Sequence, residues 1–206
     1  MKLQFLGANR QVTGSRYLLE AAELCVVVDC GMFQERQFVE RNWQAPLITP
    51  RKVDYLLLTH AHLDHVGLIP RLVQLGFKGR ILATAPTVEL VEIVLRDSAK
   101  IQEEDAAYKK KRHRREKRKG KHPEEPLYSM ADVEKSLGLF QEVSFHKPEP
   151  LNSHLSVTWH EAGHILGAGM LEMEVKHDGQ SRRIIFSGDI GQWGKPIIRN
   201  PSQFDS

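Results

Sequence analysis

Short apolar runs broken by glycine and turn residues fill the first part of the chain, and their period shifts from two to about 3.6 further on. Residues 2–6, about 15–20 and 24–28 read as three short strands, rich in apolar and β-branched side chains. Asn9-Arg10-Gln11 and Gly14 supply the first turn, and the third run stops at Asp29-Cys30-Gly31. Val53 to Leu58 predicts a buried strand, after which Val66, Ile69, Leu72 and Val73 recur with helical spacing until Gly76 offers a stop. Arg80 to Thr84 predicts another strand. Pro86 then opens a long helix whose apolar face includes Val91, Val94, Leu95 and Ile101, and which runs toward a basic segment closed by Pro123 and Pro126. Met130 to Leu139 predicts a short amphipathic helix, and strands return near 155–160, 168–176 and 182–187. Alternation of sheet and helix implies an α/β layered fold, with no repeat of fixed period.

With 206 residues, 41% of them hydrophobic, the chain can form one domain with a substantial core, or part of a larger one. Its start has no basic region followed by a long apolar stretch, and nowhere do 18 apolar residues run together, so the expectation is a cytoplasmic protein without a membrane partner. Cys25 and Cys30 are too few and too close for a secreted disulfide framework, and are read as reduced and structural. The net charge of +3 is uneven. Lys109 to Lys121 carries ten Lys or Arg against one Glu, leaving 19 basic and 25 acidic residues elsewhere, a balance of −6. Lys109, Lys110, Lys111, Arg112, Arg114 and Arg115 are therefore candidates for contact with a polyanion, although such a run also suits a solvated helix end or a loop.

The chemistry concentrates in His60-Ala61-His62-Leu63-Asp64-His65, three imidazoles and a carboxylate directly after a buried strand. In extended backbone residues i and i+2 point the same way, so His60 and His62 can grip one ion while Asp64 and His65, a turn further on, face a second. Imidazole with carboxylate suits zinc or a similar divalent ion without thiolates. Three of only ten histidines in one six-residue window argue against a chance surface cluster. Two more positions look like ligands. His164 sits among glycines in a loop after a strand, where backbone can approach an ion closely, and Asp189 stands at the end of the run Ile184-Ile185-Phe186. Asp29 is placed in the same manner. Each alone also reads as a turn residue, but together with the cluster they point to one shared site.

His160-Glu161-Ala162-Gly163-His164 matches H-E-x-x-H, which in zinc proteases must be helical to bring both histidines to one face. Here it follows the strand-like Ser156-Val157-Thr158-Trp159 and is rich in glycine, so the protease reading is set aside. His160 is left either as a group supporting a ligand or as a surface residue. His113, His122, His146, His154 and His177 have no supporting pattern and are read as surface residues.

At this point the residues carry a resemblance. The chain resembles the metallo-β-lactamase superfamily, whose H-x-H-x-D-H hallmark stands here at His60 to His65, with Asp29, His164 and Asp189 following the family's other motifs in order. Within it the chain looks most like the β-CASP branch of RNA- and DNA-processing nucleases, through Gly7-Ala8, Val12-Thr13-Gly14-Ser15, Asp29-Cys30-Gly31-Met32-Phe33-Gln34, His62-Leu63-Asp64-His65-Val66-Gly67 and Ala83-Thr84-Ala85-Pro86-Thr87. The resemblance implies an αββα sandwich. It implies zinc held by His60, His62 and His164, a second zinc held by Asp64 and His65, Asp189 bridging the two, and Asp29 orienting a histidine ligand. It implies hydrolysis of RNA, with DNA as the family's other substrate class, and the basic segment of residues 105–125 assisting capture. The family continues into an inserted β-CASP domain and returns with one more metal-binding histidine. Neither follows Asp189 here, so residues 1–206 are expected to be the N-terminal part of such a domain, lacking one ligand of the second zinc and weak or inactive alone. A homodimer or a partner chain could complete the fold. Two rivals stay open: a module that binds metal or RNA without turnover, and a thioester or lactone hydrolase of the same superfamily.

Overall fold

Val26, Val27 and Val28 explain the layering. Val26 and Val28 belong to one core cluster and Val27 to another, so this strand is covered on both faces, as a continuous apolar run requires. Leu56, Leu57 and Leu58 divide in the same way, as do Ile81, Leu82 and Ala83. A computed structural model of the chain describes residues 1–117, 124–177 and 179–204. Strands β1 (Lys2–Phe5), β2 (Tyr17–Ala21), β3 (Leu24–Val28), β4 (Tyr55–Leu57) and β5 (Arg80–Thr84) follow the predicted runs, β4 being shorter than its run. Between β4 and β5 lie two short helices, α1 (Leu63–Val66) and α2 (Ile69–Gln74), where the spacing predicts one. Then come α3 (Ala85–Glu116), α4 (Met130–Leu137), β6 (Phe140–Val143), β7 (Glu149–Pro150), β8 (Leu155–Glu161), β9 (Gly169–His177) and β10 (Gln180–Phe186).

Six strands form one sheet in the order β1-β2-β3-β4-β5-β6, antiparallel through β3 and parallel from β3 to β6. Four antiparallel strands form the second, in the order β10-β9-β8-β7. The two sheets face each other across a core of Leu19, Val26, Val28, Leu57 and Leu82 against Leu155, Val157, Trp159, Leu171 and Met173. Trp159 is fully buried there, and its indole N–H donates to the Leu58 carbonyl at 2.9 Å, tying the second sheet to the strand that precedes the histidine cluster. Helices cover the other face of the six-stranded sheet, with Val66, Ile69 and Leu72, Val91 and Leu95, and Val133 in a shared core.

This is a mixed α/β sandwich, as expected for the N-terminal part of an αββα fold. No described helix contributes to the core of the four-stranded sheet, whose residues His160, Glu172 and Arg183 pair in polar contacts instead. Helix α3 departs from expectation. Its buried stripe runs Thr87, Val91, Leu95, Ser98, Ala99, Ala106 and His113, while Ile101 falls just past the edge of that stripe and is exposed. Helix α4 begins at a capping box, in which Ser129 accepts from the Asp132 N–H and Asp132 accepts in return. Strands β6 and β7 have no counterpart in the apolar pattern, being short and half-exposed. Arg118, Lys119, Lys121, His122, Pro123 and the His177 side chain lie outside what is described. None of the described helices is long and apolar enough to cross a membrane.

Candidate metal centre

Parallel strands β3 and β4 both end at one edge, and their exits build the centre, the usual place for function in an α/β sheet. Asp29 follows β3 in the left-handed region, at φ +57°, which aspartate tolerates better than most residues. Its N–H donates to the Leu57 carbonyl at 2.9 Å, and its carboxylate accepts from the Thr59 N–H at 2.9 Å. Backbone bonds clamp the next turn: Cys30 N–H donates to the His65 carbonyl at 2.7 Å, Ser15 N–H to the Asp64 carbonyl at 2.9 Å, and Met32 N–H to the Leu63 carbonyl at 3.1 Å. A Cβ at position 31 would collide with the Asp64 carbonyl, which explains Gly31.

The second sheet supplies the rest. His164 stands in the loop after β8, and Asp189 lies beyond the end of β10. The two loops are laced by Gly191, whose N–H donates to the Ala162 carbonyl at 2.9 Å and whose missing side chain lets it meet the Gly163 backbone. His160 and Glu161 end a strand and His164 follows in a turn, so the H-E-x-x-H pair does not share a helix face. His160 instead meets Glu172 at 2.7 Å, away from the centre.

Two donor groups result. His62 Nδ1 lies 3.1 Å from both His60 Nε2 and His164 Nε2, while Asp189 Oδ2 lies 4.0 Å from His60 Nε2 and 3.7 Å from His164 Nε2. The four ligand atoms all fall within 4.8 Å of one another. A tetrahedral zinc with bonds of 2.0–2.1 Å spaces its ligands by about 3.4 Å, so this set fits such an ion with small adjustment. In the other group His65 Nε2 lies 3.8 Å from Asp64 Oδ2 and 3.4 Å from Asp189 Oδ1. Asp189 thus turns one carboxylate oxygen toward each group.

The electrostatics suit ligation. Burial, then the neighbouring His65, His62 and His164, pushes His60 down to about 2, so it stays a neutral donor. Burial and His62 likewise lower His164, against the pull of Asp189. Burial also works on His65, but the Asp29 carboxylate, their hydrogen bond, Asp64 and Asp189 outweigh it and hold His65 above its ordinary value. Asp29 Oδ2 meets His65 Nδ1 at 2.7 Å, leaving Nε2 turned to the centre. Thr59 is a residue that sequence reasoning missed. Its hydroxyl reaches Asp29 Oδ2 at 2.9 Å and His60 Nδ1 at 3.1 Å, so it orients a second histidine, and its only signal was its place before His60.

The basic residues are elsewhere. Helix α3 begins beside the centre, where Thr84 and Thr87 hydroxyls donate to the Gly167 carbonyl at 2.7 and 2.9 Å, but Lys109 lies roughly 36 Å along its axis at 1.5 Å per residue. Lys109, Lys110, Lys111, Arg114 and Arg115 are exposed, whereas Arg112 is half-buried against Tyr108. His113, read from sequence as a surface residue, is buried on the inner stripe of α3 with its Nδ1 2.6 Å from Glu124.

Comparison with known proteins adds to this geometry. The family described as the metallo-beta-lactamase superfamily matches residues 10–201. A ribonuclease of Thermus thermophilus is 36% identical over 203 residues, covering 98% of this chain and 41% of that protein. Cleavage and polyadenylation specificity factor 73 of Drosophila melanogaster is 27% identical over 193 residues, covering 93% of this chain and 25% of that protein. A solved structure of a Cronobacter sakazakii metallo-β-lactamase with a HARLDQ motif superposes with a TM-score of 0.53 at 19% identity, covering 96% of this chain and 60% of that one. The chain spans less than half the length of these curated relatives.

Proposed function

The chain belongs to the metallo-β-lactamase superfamily, with β-CASP-type nucleases among its relatives, and from this we propose that it serves hydrolysis of RNA phosphodiester bonds at a pair of zinc ions. The observation that carries the reading is the division of Asp189, whose two oxygens face two donor groups. In this reading His60, His62 and His164 hold one ion, Asp64 and His65 the other, and Asp189 serves both. Such a pair of ions, when bound, lowers the pKa of water and neutralises charge at a phosphodiester. The protein's own residues position and tune. Asp29 fixes the His65 tautomer so that Nε2 faces inward, and Thr59 does the same for His60.

Asp64 is partly open to solvent and Asp189 more so, and the second group offers three protein donors among the described residues. That leaves positions for water and substrate, as a catalytic ion needs. Exposed cations along α3 attract a polyanion from a distance and act as a landing strip, since they stand too far from the centre to touch the scissile bond. Residues 1–206 then act as the N-terminal part of a longer nuclease domain, with activity in full only when the rest is supplied.

The test is cleavage of labelled RNA by the intact zinc-loaded enzyme that contains these residues, beside zinc counting by native mass spectrometry. Two zincs per chain and RNA cleavage lost in Asp64→Ala support the reading. Uncut RNA with two zincs bound, or an Asp64→Ala variant that cuts at the parental rate, overturns it.

A further inference from the structure

A second cavity, of about 150 Å³, opens between α2, the turn after β3 and the loop of residues 33–47. None of the metal-centre residues lines it. Its walls are apolar where Phe33, Leu68 and Leu72 stand and cationic where Arg16, Arg41 and Arg71 stand, and no Asp or Glu is among them.

No carboxylate lining the cavity balances the three guanidinium groups, and Glu35, outside the lining, is the acid that feels Arg41. Among the described residues the arginine ion pairs are those of Arg96, Arg183 and Arg199. Arg16 is only 9% exposed. One of its terminal nitrogens donates to the Gly31 carbonyl at 3.3 Å, yet its Nε is buried with no hydrogen-bond partner. A buried donor left unpaired is costly, and a folded chain keeps one where something else satisfies it. Arg71 spends its donors on the Leu127 and Trp43 carbonyls at 3.3 and 3.2 Å and stacks over the Trp43 ring at 5.8 Å. Burial lowers its pKa from the ordinary value, a strain that an anion would relieve, although a guanidinium stays charged. Arg41 reaches Gln11 at 3.1 Å and lies over the Phe38 ring at 4.4 Å, and its charge, which also acts on Glu35, is not held by a salt bridge among the described residues.

We propose that this cavity binds a phosphate monoester with an aromatic or apolar body, its head held by Arg16, Arg41 and Arg71 and its body packed on Phe33, Leu68 and Leu72. Three cations without a carboxylate match a dianion better than a monoanion, and the planar guanidinium fork fits phosphate oxygens. The apolar wall and the small volume select a compact body over a nucleic-acid strand.

Phenyl phosphate is the probe, titrated calorimetrically into metal-free protein, with inorganic phosphate, benzoate and phenol as comparisons. Phenyl phosphate should bind at one site, tighter than all three, and more weakly as salt rises. Two exposed lining positions supply variants that leave the core alone: Arg41→Ala removes one cation, and Ala45→Trp fills the cavity with its cations intact. Each should weaken binding roughly tenfold or more, the scale of one charged hydrogen bond. His62→Ala should bind as the parent does, because the histidine cluster is a separate site. No binding at millimolar probe, equal binding of inorganic phosphate, benzoate or phenol, indifference to both Arg41→Ala and Ala45→Trp, or loss of binding in His62→Ala would each overturn the proposal.

Discussion

Asp29→Asn tests whether the centre is built from its supporting residues outward. The side chain is fully buried, and it accepts from the Thr59 N–H at 2.9 Å, from the Thr59 hydroxyl at 2.9 Å and from His65 Nδ1 at 2.7 Å. Asparagine is the same size and tolerates φ +57°, so the backbone has no reason to move. What changes is the side facing His65. An amide nitrogen there donates rather than accepts, so the imidazole must accept at Nδ1 and carry its proton on Nε2. That atom is the one 3.4 Å from Asp189, and protonated it cannot ligate. Loss of such a partner typically lowers metal affinity about 10- to 100-fold, or about 1.4–2.7 kcal/mol at 1.36 per decade. The effect should fall on the ion of the Asp64–His65 group and spare the other. Competition with a chromogenic chelator at pH 7.5, following two equivalents of zinc, reads it directly.

The metal-free protein gives a second signal from the same change. His65 is raised in the folded state, so its pairing with Asp29 stabilises fully below about pH 6.5 and is lost as pH rises through the higher folded value. Urea denaturation should therefore show the parent ahead of Asp29→Asn by about 1.5–3 kcal/mol at pH 5.5, with a smaller gap at pH 8.5 where only a neutral hydrogen bond remains. A variant that holds both zincs at parental affinity would refute this reasoning, whatever its stability.

Lowering pH should release the ion of the Asp64–His65 group before the ion at His60, His62 and His164, because protons compete well at the raised His65 and poorly at His60, which sits at about 2. Native mass spectra between pH 8 and 5 that lose both ions together would contradict it. Trp159→Phe should cost about 1–3 kcal/mol in urea denaturation, since it strands the buried Leu58 carbonyl and leaves a void between the sheets, and a cost near zero would show that the indole bond is dispensable. A thiol reagent should label half-buried Cys25 slowly and Cys30 only on unfolding, because burial raises both thiols and seals Cys30; equal rates would count against the core described here. Replacing Lys109, Lys110, Arg114 and Arg115 with Gln should flatten the salt dependence of single-stranded RNA binding by about 0.7 per lost phosphate contact, leaving zinc content unchanged. An unchanged slope would take the α3 cations out of RNA capture.

The parts of this molecule that could be read from sequence are those where one physical rule acts locally. Valine and leucine runs at residues 26–28 and 56–58 must be covered on both faces, and a carboxylate or histidine just beyond such a run must surface at the strand's end. That rule nominates Asp29 and His60, whereas Asp189 follows a mostly exposed edge strand, and the topology brings all three within a few ångströms. What escaped reading depends on pairs formed across the fold. Thr59 matters only because Asp29 and His60 lie on either side of its hydroxyl, and a lone threonine carries no pattern. His113 looked exposed within a run of cations, but helical period places it on the inner stripe, where Glu124 meets it from 11 residues away.

Arg16 is the sharpest case of the same distinction. In sequence it is one cation after a turn, with nothing to mark it. In the fold it is drawn inward because Leu6 N–H bonds to its carbonyl at 2.9 Å and Gly31, held against Asp64, offers a carbonyl to its guanidinium. The turn that carries Asp29 and Gly31 therefore has two sides: one orients His65, and the other presents Cys30 and the Gly31 carbonyl to Arg16 and its cavity. Because Cys30 N–H also holds the His65 carbonyl at 2.7 Å, filling the cavity should stiffen this turn and, with it, the Asp64–His65 donor group. Saturating phenyl phosphate should then slow hydrogen exchange at the Cys30 amide and tighten the second zinc, whereas exchange at that amide unchanged by bound ligand would show that the two faces of the turn act independently.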